Sequence, residues 1–434
     1  MIIGRRMSVN MGNSRRFSIA RRVMMAGAVS AWLMGCATLT SRNNDEADGD
    51  QELTQLETDP ILIRATIDGE MITTESLDAE EVFQKGFYDY QARRYEDALE
   101  QYRIIIDYLP DSRFHLPALY NGGLASEQLE QWRNAADIYA RILEEYADSS
   151  EALNARFRLA NALHELKDYR GVDQLLTEIL LRDNLSHFDR VEAHVRRGQA
   201  LLELEEWSDA ENSFRNVLEV NARASRGDQL AEESRFLVQT HFGIGKAHHG
   251  RMNEIPLVLP PARMSEDLET KADHHQRAQV SYIRALRQHH PYWSVAAGYM
   301  IGRLYQDFYI DIFTAEIPDD LSELELSVYF EELRNKTRVL MDRALNVYER
   351  NLSFSRRMVQ NPEAEEWVDA TALHLSRMRA FLDDPLVMER AEELVISGGN
   401  LEDLWDTSYF AKREVENALQ EAKKATRSDE VAQN

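Results

Sequence analysis

From about residue 76 onward, apolar residues recur every three to four positions, and polar residues fill the gaps between them. That is the period of helices that bury one stripe and wet the other. The pattern starts near Ser76 or Asp78, and either side chain could cap the first helix. Ahead of it, Thr38 to about Asp59 shows no apolar period, and Ser41 to Asp50 is almost wholly polar. Residues 36–75 therefore read as a flexible tether. Within it, Ile61 to Ile67 alternates briefly, which predicts a short extended segment docked on the first helix.

The helical pattern repeats itself. Gly86, Ala98 and Tyr102 recur 37 residues later as Gly123, Ala135 and Tyr139, and after another 37 as Ala160, Val172 and Leu176. A shift of 38 then gives Gly198, Ala210 and Phe214. The internal gaps are always 12 and 4. Two antiparallel helices approach closely only where facing residues are small, and a large ring one turn on fills the groove beside them. A repeat of this length means stacked helical hairpins. The third copy is degenerate, with Val172 and Leu176 at its second and third positions.

Beyond residue 240 the repeat loosens. Ile244-Gly245-Lys246 reads as the end of one first helix, with Ala278 and Tyr282 on its partner, which implies about 21 inserted residues. The insert carries the apolar, proline-punctuated run Ile255 to Pro261, either local core or an exposed plug for a partner. A sixth unit opens at Trp293 to Tyr305 with Gly302. Its partner residues Ala344 and Tyr348 follow a second insertion and a long helix from about Leu324. Another helix reads as starting at Asn361 and Pro362, with Trp367, Ala370, Leu373, Leu375, Met378 and Phe381 buried. Ser397 to Asn400 breaks the pattern. A last amphipathic helix from Leu401 is then favoured as a cap on the array over a docking helix.

Charge narrows the partners. The formal charge is −25. Residues 1–35 hold six arginines and no acid or lysine, so the remainder carries −31. So acidic a surface repels phosphate backbones, and no nucleic acid is expected. Walker, zincin, nucleophile-elbow and Cys-x-x-Cys motifs are all missing, and no cofactor or catalytic residue is expected. Seven of twelve histidines fall in 241–290: His241, His248, His249, His274, His275, His289 and His290. Their spacing fits no ligand pattern, so they read as solvated side chains, with no metal expected. The acidic pairs Glu144-Glu145, Glu205-Glu206, Glu331-Glu332 and Glu365-Glu366 read as wet helix faces.

The amino terminus carries the one cysteine. Arg5 to Arg22 form a basic region and Val23 to Trp32 an apolar run too short to span a bilayer. Arg21-Arg22-Val23-Met24-Met25 partly fits a twin-arginine signal, but Ala20 precedes it, so the general secretory route is favoured, and Met7 or Met11 could be the start. Leu33-Met34-Gly35-Cys36 resembles the lipobox of bacterial lipoproteins. That resemblance implies cleavage after Gly35, acylation of Cys36, and, through Ala37, sorting to the periplasmic face of the outer membrane.

The repeated small, alanine and aromatic positions, with Pro110 closing a unit, resemble tetratricopeptide repeats. The resemblance implies an all-α, right-handed superhelical solenoid of helical hairpins with a C-terminal helical cap. A partner's extended peptide or helix would lie in its concave face. The expected layout is a signal peptide at 1–35, a lipidated tether at 36–75, repeats at 76–290, atypical repeats at 291–390, and a capping helix with a disordered tail at 391–434. Lipobox, repeats, length and the long helix after Trp293–Tyr305 are most similar to the repeat lipoprotein of the adventurous-gliding machinery. The repeat lipoprotein of β-barrel assembly and the secretin pilotins are shorter relatives in kind. An envelope scaffold is therefore expected, with an assembly factor for barrels or secretins, or a regulator of peptidoglycan synthesis, as the alternative.

Overall fold

The computed structural model describes residues 60–68, 71–224, 227, 230, 234–356 and 364–405. Leu33, Gly35, Cys36 and the whole signal segment lie outside the described residues, as do Asn361, Pro362 and the predicted helix after Trp405. Among the described residues, no helix is long and apolar enough to cross a membrane.

A β-hairpin comes first: β1 (Ile61–Asp68) pairs antiparallel with β2 (Met71–Asp78). Leu62 lies opposite Leu77, and both pack against the first helical core, while Ile61 and Ile63 point to solvent. The tether reading is thus corrected over 61–75. The extended segment was legible, but its return strand, rich in Thr, Ser and Glu, gave no apolar alternation.

Seven antiparallel helical hairpins follow among the described residues. The first four are α1 (Ala79–Gln91) with α2 (Tyr95–Tyr108), α3 (His115–Gln128) with α4 (Trp132–Glu145), α5 (Ala152–Glu165) with α6 (Tyr169–Leu180), and α7 (His187–Glu203) with α8 (Trp207–Arg223). The last three are α9 (Arg235–Glu254) with α10 (Pro261–Leu286), α11 (Pro291–Phe313) with α12 (Glu323–Ser355), and α13 (Glu365–Asp383) with α14 (Pro385–Ile396). Each second helix also packs on the first helix of the next hairpin. The core therefore runs the length of the array between two helical layers, an all-α solenoid of tetratricopeptide type.

Local chemistry starts and stops these helices. Asp78 caps α1, its Oδ1 accepting the Glu80 N–H at 2.7 Å. Ser322 and Glu325 form a reciprocal capping box on α12. The first four hairpins turn through three residues whose middle member is left-handed: Arg93 (φ 62°), Glu130 (56°), Lys167 (60°) and Glu205 (60°). The next N–H reaches back five residues to a carbonyl: Arg94 to Asp89, Gln131 to Ser126, Asp168 to Leu163, Glu206 to Leu201. This is the Schellman closure, usually given to glycine, made here by exposed charged residues.

In the second half, the structure revises the sequence reading in several places. Gly245 lies in mid-helix, because α9 continues to Glu254. The insertion is largely added helix: α10 runs for 26 residues, and only a short connector separates it from α9. Ala344 and Tyr348 belong to the same 33-residue helix that starts near Leu324. Leu373 is half-exposed; Thr371 and His374 take the buried stripe of α13 with Leu375, Met378 and Phe381. After Ser397, with Gly398 left-handed, the described chain ends in a 3-10 turn (Leu401–Trp405), whose Leu404 is buried in the last core.

Candidate partner-docking groove

The recurring small residues of the first helices each face the ring of their own hairpin. A Cβ on Gly86 would meet Tyr102 Cε1 at 2.9 Å, and one on Gly123 would meet Tyr139 Cε1 at 2.5 Å. On Gly198 it would meet Phe214 Cζ at 2.7 Å, on Gly245 Tyr282 Cε1 at 2.5 Å, and on Gly302 Tyr348 Cε1 at 2.3 Å. Ala98, Ala135, Ala210 and Ala344 are wholly buried one turn before those rings. In the degenerate copy Ala160, Val172 and Leu176 are buried too.

Where the ring is a tyrosine, its hydroxyl needs a partner once buried. Three copies supply it from the position four after the glycine. Tyr139 donates to Glu127 Oε1 at 2.9 Å, and Tyr348 donates to Gln306 Oε1 at 2.8 Å. Tyr282 lies 3.4 Å from His249 Nδ1. Each of these residues is then tied onward to the next first helix. Arg158 reaches Glu127 at 3.0 Å, His249 Nε2 sits 3.0 Å from Asp307 Oδ2, and Gln306 Oε1 is 3.1 Å from His374 Nδ1. Sequence reading missed this polar seam. The signal available was tyrosine in place of phenylalanine, which demands an acceptor one turn along.

The seam is densest between α9, α11 and α13. Asp307 takes His249 on one side and Arg303 on the other, at 3.0 Å to Oδ1. Burial pushes the Asp307 carboxyl up, but hydrogen bonds from His249 and the Arg303 charge outweigh it and hold it below the usual range. Arg303 Nη1 lies 3.2 Å from His374 Nε2, so that nitrogen accepts, and Nδ1–H donates to Gln306. Burial, with Arg303 alongside, lowers His374 to about 4, leaving it neutral at pH 7. Lower on α10, the fully buried Lys271 ammonium donates to Asp311 (2.5 Å) and to the Met252 carbonyl (2.6 Å), joining three helices.

Three of the seven histidines are not the solvated side chains expected from spacing, while His289 is exposed. His248, His249 and His275 are buried, and the adjacent pair 248–249 points to opposite sides. The Ile255–Pro261 run resolves toward local core. Leu257 is buried, its carbonyl accepts the Glu316 N–H at 2.9 Å, and Leu259 N–H donates to Glu316 Oε2 at 2.7 Å. The paired acids stay on exposed faces apart from Glu206, which Arg170 holds.

Over the seam opens a groove of about 250 Å³ between α9 and α11, bordered by Trp207, Lys246, Asn253, Tyr299, Met300 and Arg303. Trp207 lies flat over Gly250, where a Cβ would come within 2.5 Å of its ring, and its Nε1–H donates to Glu254 at 2.7 Å. Aromatic faces, a thioether, an amide and two cations suit an extended polypeptide with mixed side chains. Beneath the groove, both nitrogens of His249 and both oxygens of Asp307 are engaged within the seam. A second hollow, of about 510 Å³, lies between α7 and α8 and includes His187, Arg190 and His194. Its His194 is lowered to about 4 by burial and nearby arginines.

No protein-family model matches the chain, and no curated protein matches it. Among solved structures, the chain is similar to a tetratricopeptide repeat protein from Parabacteroides merdae, with 17% identity over 68% of this chain and 98% of that one, at a TM-score of 0.34. It is also similar to the apo form of RapI, with 14% identity over 70% and 98% at 0.39. A third is the TPR2AB domain of yeast Sti1 in complex with pHSP90, with 11% identity over 68% and 98% at 0.22. At such values the fold rests on the chain's own hairpins.

Proposed function

We propose that this protein is a non-catalytic scaffold that holds an extended segment of a protein partner in the α9–α11 groove. The observation that carries this reading is the groove itself. It offers aromatic and cationic contact surface, while every acid and base beneath it is locked into the structural seam. Titratable groups so engaged position helices and leave recognition to the surface above them. Tetratricopeptide arrays stack short units into long binding faces, which fits the same role.

The lipobox around Cys36 supports attachment through acyl chains, at the periplasmic face of the outer membrane by way of Ala37. Such a scaffold would serve an envelope-spanning complex. The chain length and the long helix following Trp293–Tyr305 favour a gliding-motility machine over β-barrel or secretin assembly. The test is in-cell crosslinking of the tagged, full-length protein followed by mass spectrometry. Enrichment of one envelope complex, reduced by Lys246→Glu and Asn253→Ala together at the rim of the groove, supports the reading. Recovery of glycan alone moves the protein to cell-wall regulation. Cys36→Ala should release the protein from the membrane fraction, and continued retention would contradict lipid anchoring.

A further inference from the structure

His248 of α9 and His274 of α10 face each other with their Nδ1 atoms 3.2 Å apart, the rings tilted by 36°. Behind His248, its Nε2 lies 3.3 Å from Glu211 Oε1 of α8. Glu211 is nearly buried and is also held by Arg215 Nε at 2.6 Å and by Arg251 Nη1 at 2.7 Å. The hydrogen bond from His248, then Arg215, outweighs burial and keeps the Glu211 carboxyl at about 2, so it only accepts. With Glu211 facing its Nε2, His248 presents Nδ1 toward His274. Burial, with His248 and Arg251 nearby, lowers His274.

We propose that His248 and His274 form a two-histidine site for a borderline divalent transition ion, Zn²⁺ in the first instance, clamping the α9–α10 hairpin. Two nitrogens bonded to one tetrahedral zinc at ~2.0–2.1 Å stand about 3.3 Å apart, within a few tenths of the observed gap. A carboxylate accepting the second N–H of a ligating imidazole fixes its tautomer and raises its basicity, and Glu211 stands in that position. Without metal, an N–H···N hydrogen bond holds the rings at the same separation. On metal binding both Nδ1 atoms are unprotonated, each ring keeping its proton on Nε2. Among the described residues no third His, Cys, Asp or Glu joins the pair. His274 is partly exposed, and water fills the remaining positions, which makes the ion exchangeable.

The experiment is calorimetric titration of the full-length, detergent-solubilised protein with Zn²⁺ alone at neutral pH, with Cu²⁺ and electron paramagnetic resonance as a second readout. One ion per chain is expected, with two imidazole nitrogens on copper. His274→Ala, at a partly exposed position, should leave the helical circular dichroism unchanged, weaken binding at least tenfold and remove one nitrogen. Glu211→Gln should weaken it about 10-fold or more through the lost carboxylate. Unchanged affinity in His274→Ala, or no saturable uptake by the parent protein, would overturn the proposal.

Discussion

The first four hairpins and the last three solve the same packing problem differently. Between Ala79 and Arg223 the helices are 12 to 17 residues long, and small-against-ring contacts with three-residue turns account for most of the packing. From Arg235 to Ser355 the helices run 20 to 33 residues, and the added surface is joined by polar contacts: Glu211 with His248, Asp307 with His249 and Arg303, Lys271 with Asp311. A short repeat has one register that seats its ring against its glycine. A long helix can slide by a turn and still bury leucines, so directional partners are needed to fix it. Both halves are held by shape, the irregular half carries the denser polar links, and the docking groove lies over the latter.

The largest test of that contrast removes the hub. Asp307→Ala should cost about 3–5 kcal/mol, because it releases buried His249 of α9 and, through Arg303, the contact with His374 of α13. Hydrogen exchange should show α9, α11 and α13 opening while α1 to α6 keep their protection. Glu127→Ala, the counterpart in the regular half, should cost about 1–3 kcal/mol, since it frees a neutral Tyr139 hydroxyl and a single arginine, Arg158, about as exposed as Arg303. Equal losses at both sites would erase the distinction.

Shape should matter alike in both halves. Gly123→Ala and Gly302→Ala each place a Cβ against a ring that cannot retreat, and each should cost about 1–3 kcal/mol by denaturant unfolding. Pairing Gly302→Ala with Tyr348→Leu should recover part of the loss, and strict additivity would show that the two are not in contact.

Acid should act next, and mostly on the second half. The folded-state value of His374, about 4, lies below its ordinary 6.5, so the unfolded chain binds more protons in between. Stability is then complete above about 6.5 and is lost as pH falls toward 4. Glu211, held at about 2, adds its own loss only below its ordinary 4.5. Melting temperature followed from pH 7 to 4.5 should fall, and His374→Gln should flatten the curve. A slope unchanged by that substitution would place the acid sensitivity elsewhere.

The smallest effect belongs to the turns. Arg93→Gly, Glu130→Gly, Lys167→Gly and Glu205→Gly each relieve a left-handed backbone at an exposed position, and each should stabilise by under ~1 kcal/mol. A destabilised Lys167→Gly would mean that its side chain, and not its backbone, matters there.

How far the sequence could be read follows from the range of each interaction. The 12-and-4 spacing was legible because a ring and the small residue it covers belong to one hairpin, and the same local rule placed Gly302 against Tyr348 despite the insertions. The return strand β2 was not legible, since its pairing depends on docking and not on its own weak pattern. The histidines misled because burial of a polar ring is set by what packs over it. His249 meets Asp307 58 residues away, and Arg303 meets His374 71 residues away, each across helices whose lengths obey no repeat.

By itself, the sequence determined the helical period and the hairpin unit, because each depends on residues close together along the chain or one hairpin apart. Only the tertiary structure decided which charges lie inside, which partners hold them and where the groove opens. Desolvation and hydrogen-bond direction exist only once distant helices have met.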